Sequence, residues 1–330
     1  MGNHNKIKLA LVGCGGMAQY HLNQLLLQLE TTQFAALCDP NPAALEQVRR
    51  RLVEVGAEPP LTWTEIDRML ADVGDQLDAA FIVTPHVFHH DQAAACMEAG
   101  LDVLLEKPMV LNTAEALSLI KVRKRTGRLL VVAFQGSLSP AVRTAVGWLR
   151  AGEFGAILNI NGTVWQGWNK IARDTWRQNP VLSGGGVMFD TGAHVLNTIA
   201  DLAGEEFAEV AAWLDDRDTP VDILAAAVGR LKSGALVSIN ACGDTIDTCA
   251  SDIRVFCRGG ILQTTMWGEF LRVQRAGRKT LRKVKLAPSL GVWQQFLAVR
   301  AGIMENPCPP EVGLRMIQLW DALKASSQQG

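Results

Sequence analysis

Near its start the chain carries an apolar run, Ile7-Lys8-Leu9-Ala10-Leu11-Val12, that passes without a spacer into Gly13-Cys14-Gly15-Gly16-Met17-Ala18. A helical pattern follows from about Met17 to Leu29. A strand that stops in a glycine turn and resumes as a helix leaves few architectures open. Gly13 permits the tight turn, Gly15 lets backbone approach a bulky anionic group, and Ala18 is small enough for close helix–strand packing. The helix start offers unpaired N–H groups and a partial positive charge. Strand, G-x-G-x-x-A and helix together form a dinucleotide fingerprint, with Gly13, Cys14, Gly15, Gly16, Met17 and Ala18 as the cradle for a pyrophosphate.

The next residues repeat the theme. Strands are predicted at Phe34 to Cys38, Phe81 to Thr84, Leu101 to Leu105 and Leu129 to Phe134. Helices fall between them, at about Ala43 to Val55, His89 to Ala99 and from Asn112, with Glu115 completing a capping box, to Arg125. Strands alternating with helices predict a doubly wound parallel sheet with right-handed crossovers. After Pro140 the period changes. One helix, about Ala141 to Ala151, is followed by two-residue alternation that places Leu158, Ile160 and Val164 on one face and Asn159, Asn161, Thr163 and Trp165 on the other. Similar runs at Ala208–Leu214, Ile223–Leu231, Ala235–Ala241, Ile253–Cys257 and Ile261–Met266 predict a large, mostly antiparallel sheet with one buried face. A helix from about Asp190 to Leu202 interrupts it, and helices at Val292–Met304 and Val312–Lys324 close the chain. The expected division is a Rossmann domain over 1–130 and an α+β domain over 131–330, with the last helices available to pack back on the first domain.

At 330 residues there is chain enough for two cores, and a net charge of −1 with 48% hydrophobic residues argues against disorder. No basic excess points to nucleic acid, and no apolar stretch approaches the ~20 residues needed to cross a bilayer. The polar start, Met1 to Lys8, reads as neither a signal peptide nor a twin-arginine leader. Seven scattered cysteines give no disulfide framework, and Cys242, Cys249 and Cys257 lack zinc spacing, so a reducing cytoplasm and no metal are expected.

Asp39 closes the second strand, where its carboxylate can accept from both hydroxyls of an adenosine ribose and repel a 2′-phosphate. No arginine follows until Arg49, which favours NAD, with NADP as the second option. The competing reading makes Asp39 a helix cap. Thr84-Pro85 ends the third strand at a carboxyl edge bordering the cofactor. His86, His89, His90 and Asp91 invite a metal, but two adjacent helical histidines diverge by about 100°. Leu101 to Leu105 ends in Glu106-Lys107-Pro108, which puts a lysine where open α/β sheets bind ligands. Ser183-Gly184-Gly185-Gly186 precedes Asp190-x-x-x-His194; if helical, that spacing puts a carboxylate and an imidazole on one face, as a general base requires. Trp165, Trp168, Trp176 and Arg177 offer aromatic surface and a cation suited to sugar rings, or alternatively a core.

In their order, Gly13-x-Gly15-x-x-Ala18, Thr84-Pro85-x-x-x-His89, Ala99-Gly100, Glu106-Lys107-Pro108, Trp176-Arg177 and Gly184-Gly185-Gly186-x-x-x-Asp190-x-Gly192-x-His194 resemble the glucose–fructose oxidoreductase / inositol dehydrogenase (Gfo/Idh/MocA) family, from about residue 6 to residue 325. The resemblance implies a Rossmann domain plus an α/β domain whose open sheet often forms the oligomer interface, here a homodimer or homotetramer. It also implies a catalytic trio of Lys107, Asp190 and His194. In such enzymes the histidine accepts a hydroxyl proton as a hydride leaves for the nicotinamide, the lysine hydrogen-bonds the reacting oxygen, and the aspartate orients the pair. The resemblance implies the same roles here. Expected cofactor contacts are Gly13 to Ala18, Asp39, Thr84, Pro85, His89, Glu106 and Lys107. Expected substrate contacts are Lys107, Trp165, Trp176, Arg177, Asp190 and His194. Two departures stand out: His86 where asparagine is usual, and Gln135-Gly136-Ser137 in place of an arginine-bearing segment.

The leading expectation is an NAD(H)-dependent oxidoreductase acting on a secondary hydroxyl or ketone of a sugar, cyclitol or related polyol. Two alternatives use the same architecture: a glycosidase that oxidises, eliminates and re-reduces with bound NAD, and a non-catalytic NAD-binding sensor or scaffold.

Overall fold

The computed structural model describes residues 6–329. The chain divides into two compact units, each described by itself. The first comprises the chain up to Val110, Ala114–Ala133 and Leu290–Pro310; the second comprises Leu111–Thr113, Phe134–Ser289 and the residues from Glu311 onward.

The first unit is built on six parallel strands: β1 (Ile7–Val12), β2 (Thr32–Cys38), β3 (Leu61–Trp63), β4 (Ala79–Ile82), β5 (Asp102–Leu105) and β6 (Leu130–Val132). Their order is β3-β2-β1-β4-β5-β6, the doubly wound arrangement expected. Leu9 to Val12, all of β4, and Val103 to Leu105 are buried, as strands covered on both faces must be. Strand order reverses between β1 and β4, and the backbone there is close-packed. A Cβ on Gly13 would lie 2.6 Å from the Val83 carbonyl oxygen, and Gly13 has φ +89°. Only glycine fits that turn. The sequence pattern gives no sign of β3 or of the helix Ile66–Val73 after it, and the strand expected at Phe81 to Thr84 lies at Ala79–Ile82. The helix Val292–Arg300 completes this unit: Trp293 donates to the Thr32 hydroxyl at 2.9 Å and stacks on Phe296.

The second unit is built on eight strands: β7 (Ile157–Gln166), β8 (Phe207–Asp215), β9 (Leu224–Leu231), β10 (Leu236–Cys242), β11 (Cys249–Cys257), β12 (Gly260–Thr264), β13 (Leu271–Arg275) and β14 (Arg282–Lys283). They run in the order β14-β13-β12-β11-β7-β10-β9-β8, antiparallel except for the parallel pair β7–β10. The helix Gly192–Ala203 covers one face, where a Cβ on Gly162 would meet Ile199 Cδ1 at 2.5 Å; glycine here lets the helix sit close to β7. Ile160 and Val164 lie on that buried face as expected, but Leu158 is 49% exposed. A bulge opposite Phe256/Cys257 skips Leu158 in the pairing and lifts it out. The Thr113 amide and hydroxyl both donate to Asp321 on the helix Pro310–Ser327.

Candidate functional site

In the first unit the predicted residues gather at the carboxyl edge of the sheet. The helix Gly16–Leu25 starts with Gly15 at its cap position, with no side-chain cap and no acidic residue in its first turn. A Cβ on Gly15 or Gly16 would meet nothing within 4 Å. Free N–H groups facing open space are what an anionic group needs, so the turn fits a dinucleotide pyrophosphate. Ala18 is fully buried and Met17 is 36% exposed. Cys14 is buried, and burial, then the charge of Asp39 and the neighbouring Cys38, push its thiol well above the usual range. It is a neutral packing residue.

Asp39 does not cap the next helix, since Asn41 does so by accepting from Ala43 N–H at 3.0 Å; the Asp39 carboxylate is itself bonded to main chain. One carboxylate oxygen accepts from Cys14 N–H at 2.7 Å and the other from Asn41 N–H at 2.8 Å. The glycine turn is thus tied to the end of β2, while the negative charge stays beside it. Arg49, the next arginine along, pairs with Glu46 at 3.4 Å. Thr84 donates its hydroxyl to Gln92 at 2.6 Å.

The histidines behave differently from expectation. His89 is fully buried, with ring nitrogens 2.8 Å from the Pro108 carbonyl and 3.0 Å from the Thr84 carbonyl. It offers no surface to a cofactor and instead fastens together the two chain segments that follow β4 and β5. Burial, first among several influences, lowers its pKa. His86 is buried with its ring 5.6 Å from that of His89, and His90 pairs with Asp91 at 2.7 Å. Among the described residues no three His, Cys, Asp or Glu side chains are gathered to hold a metal ion.

Glu106 is also buried, and its carboxylate is turned inward. One oxygen lies 2.5 Å from His21 Nε2, and the other accepts from the Lys107 N–H at 2.9 Å. Both carboxylate oxygens are thus engaged within the first unit. Lys107 itself remains half-buried just beyond β5, at the sheet's carboxyl edge.

In the second unit a glycine turn leads into the residues predicted for proton transfer. The helix begins at Gly192, so Asp190 lies in the turn just before the helix that carries His194. The turn is tied 36 residues away: Asp222 accepts from Gly186 N–H at 2.6 Å and from Met188 N–H at 2.8 Å. A Cβ on Gly186 would sit 1.9 Å from the Asp222 carbonyl oxygen, so this turn too requires glycine. Burial raises the pKa of Asp222, against the pull of those N–H bonds.

Asp190 accepts from Trp168 Nε1 at 2.9 Å and from Arg177 Nε at 3.1 Å, and Arg177 stacks 4.4 Å over the Trp176 ring. Asp190, Trp176 and Arg177 therefore come together as predicted. Trp168, in contrast, is a core residue that anchors the carboxylate and offers no face to a sugar. Trp165 falls on the opposite face of β7 from Val164, away from the covering helix, and so does not join His194. Its neighbour Gln166 reaches the turn instead, accepting from the Thr191 hydroxyl at 2.6 Å. His194 is 8% exposed, edge-on to Phe134 at 6.2 Å and to Trp267 at 6.0 Å. Gln166, Trp267, Asp222 and His21 were not singled out from the sequence. Their partners are distant in the chain, and only the alternation along β7 could have flagged Gln166.

The departure Gln135-Gly136-Ser137 forms a short buried helix, Gln135–Leu138. Asn197 donates to the Ser137 hydroxyl at 2.6 Å, Ser137 in turn bonds Asp201, and Arg315 pairs with Asp201. This segment is fastened into the helix that carries His194.

Comparison with known proteins agrees with this architecture. A family model described as "Oxidoreductase family, NAD-binding Rossmann fold" matches residues 7–134, and one described as "GFO/IDH/MocA C-terminal domain" matches residues 142–263. The chain is 27% identical over 209 residues to the scyllo-inositol 2-dehydrogenase (NAD(+)) of Bacillus subtilis (strain 168), covering 62% of this chain and 56% of that protein. It is 30% identical over 189 residues to the D-xylose 1-dehydrogenase (NADP(+)) 2 of Haloferax volcanii, covering 57% of each. The match thus spans a little over half the length of these two relatives. Among solved structures, levoglucosan dehydrogenase in complex with NADH superposes with a TM-score of 0.84 at 21% identity, covering 98% of both chains. The aldose-aldose oxidoreductase of Caulobacter crescentus, complexed with glycerol, gives 0.82 at 21% identity, covering 99% of this chain and 98% of that one. At that identity the likeness to the solved structures is one of fold. With both halves matched by its models, the chain belongs to the Gfo/Idh/MocA oxidoreductase family.

Proposed function

We propose that the protein is an NAD(H)-dependent oxidoreductase that transfers a hydride between nicotinamide and a secondary hydroxyl or ketone of a sugar, cyclitol or related polyol. The observation that carries this reading is the open, uncapped glycine turn on the same sheet edge as Lys107. Two relatives named as inositol and xylose dehydrogenases support it. Gly13 to Ala18 would hold the pyrophosphate and Asp39 the adenosine ribose, with NAD preferred because Asp39 is anionic and Arg49 is engaged by Glu46. Bound NAD supplies the hydride acceptor. His194 takes the hydroxyl proton, Lys107 donates to the reacting oxygen and favours its developing negative charge, and Asp190 fixes Arg177 and Trp176 for the substrate.

A homodimer or homotetramer through the open face of the second unit's sheet is part of the same proposal, supported by Trp213, Val228 and Leu236, which stand exposed on it. So is a cytoplasmic location, supported by seven free cysteines; among the described residues no helix is long and apolar enough to cross a membrane.

The test is NADH absorbance with NAD and NADP side by side against scyllo-inositol, D-xylose, D-glucose and levoglucosan. Turnover that falls by about 100-fold or more in Lys107→Met and His194→Asn, with NADH binding retained, is expected. Full activity in either variant, or glycoside hydrolysis with no net NADH, overturns the reading.

A further inference from the structure

The buried pair His21–Glu106 has no part in the chemistry above, yet it touches both functional elements of the first unit. His21 lies one turn into the helix that begins at the glycine turn, its ring packed 5.0 Å from Phe81 on β4. Glu106 lies immediately beyond β5, its own N–H donating to the Ile82 carbonyl at 3.0 Å. Their side chains are only 4% and 9% exposed, so water cannot substitute for either partner. His21 Nε2 and one Glu106 oxygen lie 2.5 Å apart, and we assign the imidazole N–H as donor to the carboxylate. The second carboxylate oxygen then receives the Lys107 N–H at 2.9 Å.

We propose that His21 and Glu106 are positioning residues for Lys107. His21 locks the Glu106 carboxylate in one rotamer, and that carboxylate anchors the Lys107 backbone against the helix that begins at the glycine turn. The lysine ammonium sits on a flexible stem, so its reach is set by where its backbone is held. A buried hydrogen-bonded pair with little freedom supplies that constraint. The arrangement also binds the nucleotide turn and the lysine into one mechanical unit: both are attached to the same short helix. This inference rests on the role given to Lys107 above and adds two residues to it.

The experiment compares His21→Leu, which removes the donor, with His21→Gln, whose amide N–H can replace it, in the full chain. Amide hydrogen exchange is followed at Lys107, together with NADH affinity by fluorescence and turnover on whichever of scyllo-inositol, D-xylose and levoglucosan the parent oxidises best. In His21→Leu, Lys107 exchange rises about tenfold or more while exchange in β1 and β4 is unchanged. Its kcat falls about tenfold or more, with substrate KM and NADH affinity within about threefold of the parent. His21→Gln recovers both properties to within about threefold. Unchanged Lys107 exchange in His21→Leu, equal damage in His21→Gln, or a kcat loss matched by loss of NADH binding overturns the proposal. If the parent oxidises none of the three substrates, the oxidoreductase reading is what fails, and the exchange comparison still decides whether the pair anchors Lys107.

Discussion

Gly13 and Gly15 are two residues apart in one turn, yet alanine should affect them in opposite ways. At Gly13 the backbone has φ +89°, and the new Cβ would lie 2.6 Å from the Val83 carbonyl oxygen and 2.7 Å from its carbon. Those are main-chain atoms of the segment after β4, so they cannot swing aside. The left-handed conformation costs about 1–2 kcal/mol and the overpacking about 1–3 more, together about 2–5 kcal/mol. For a unit of this size that lowers the melting temperature by about 5–15 °C. Shifting the turn also breaks the Cys14 N–H bond to Asp39, so NADH affinity falls along with stability. At Gly15 the backbone is already extended, at φ −73° and ψ −162°, and nothing lies within 4 Å of the added carbon. A slightly poorer cap and a less flexible unfolded chain roughly offset, leaving stability within about 1 kcal/mol. The methyl group projects into the space a pyrophosphate needs, so affinity falls by about tenfold or more, equivalent to about 1.4 kcal/mol. Thermal melts with and without NADH, plus a fluorescence titration, separate the two effects. A Gly13→Ala variant melting within about 2 °C of the parent would refute the steric argument. So would a Gly15→Ala variant that loses stability and keeps its affinity.

Two further expectations concern buried ionisable groups. Burial holds the His89 pKa below its ordinary 6.5, so the stability contributed by its neutral form is present above 6.5 and is lost as pH falls through the lowered value. Urea denaturation at a series of pH values below 6.5 should show a steeper loss of stability in the parent than in His89→Gln, and parallel slopes would contradict it. Asp222→Asn keeps the shape of the side chain but leaves one oxygen to serve the two N–H groups of Gly186 and Met188. Relief from burying a charge offsets only part of that loss, so a net destabilisation of about 1–3 kcal/mol is expected in chemical denaturation. A variant as stable as the parent would show that the turn is held by other means.

Local pattern made much of this protein legible. The strand–turn–helix at Ile7 to Ala18, the buried runs of β4 and β5 and the alternation along β7 follow from periodicities that neighbouring residues set for themselves. The shorter edge elements did not show. Leu61-Thr62-Trp63 is a three-residue edge strand whose Leu61 is 60% exposed, and β13–β14 consists largely of basic residues paired at the other sheet's rim. An edge strand is stabilised by the neighbour it joins, so its own sequence carries little signal. Asp222, which ties down the turn before Asp190 and His194, carries no local signal because its partners Gly186 and Met188 lie up to 36 residues away. His89 read as a cofactor contact because it follows Thr84-Pro85, although both of its nitrogens face backbone carbonyls. His21 carried no signal because its partner is 85 residues away.

A common physical device lies behind these long-range effects. Asp39 accepts from Cys14 and Asn41, Glu106 from Lys107, and Asp222 from Gly186 and Met188; each carboxylate takes main-chain N–H groups from a turn beside a predicted site residue. Such turns contain N–H groups that no regular element satisfies, and leaving them buried and unpaired is costly. A carboxylate is suited to the task because it accepts through both oxygens and donates through neither. Water or an amide would have to orient itself, whereas the carboxylate imposes one arrangement on the donors. Replacing any of these acids by its amide therefore preserves volume but places a donor against a donor. The damage should appear first in the turn each one holds: the nucleotide cradle for Asp39, the backbone of Lys107 for Glu106, and the approach to Asp190 for Asp222. The acidic residues most exposed to such a change are thus ones that need never touch a substrate.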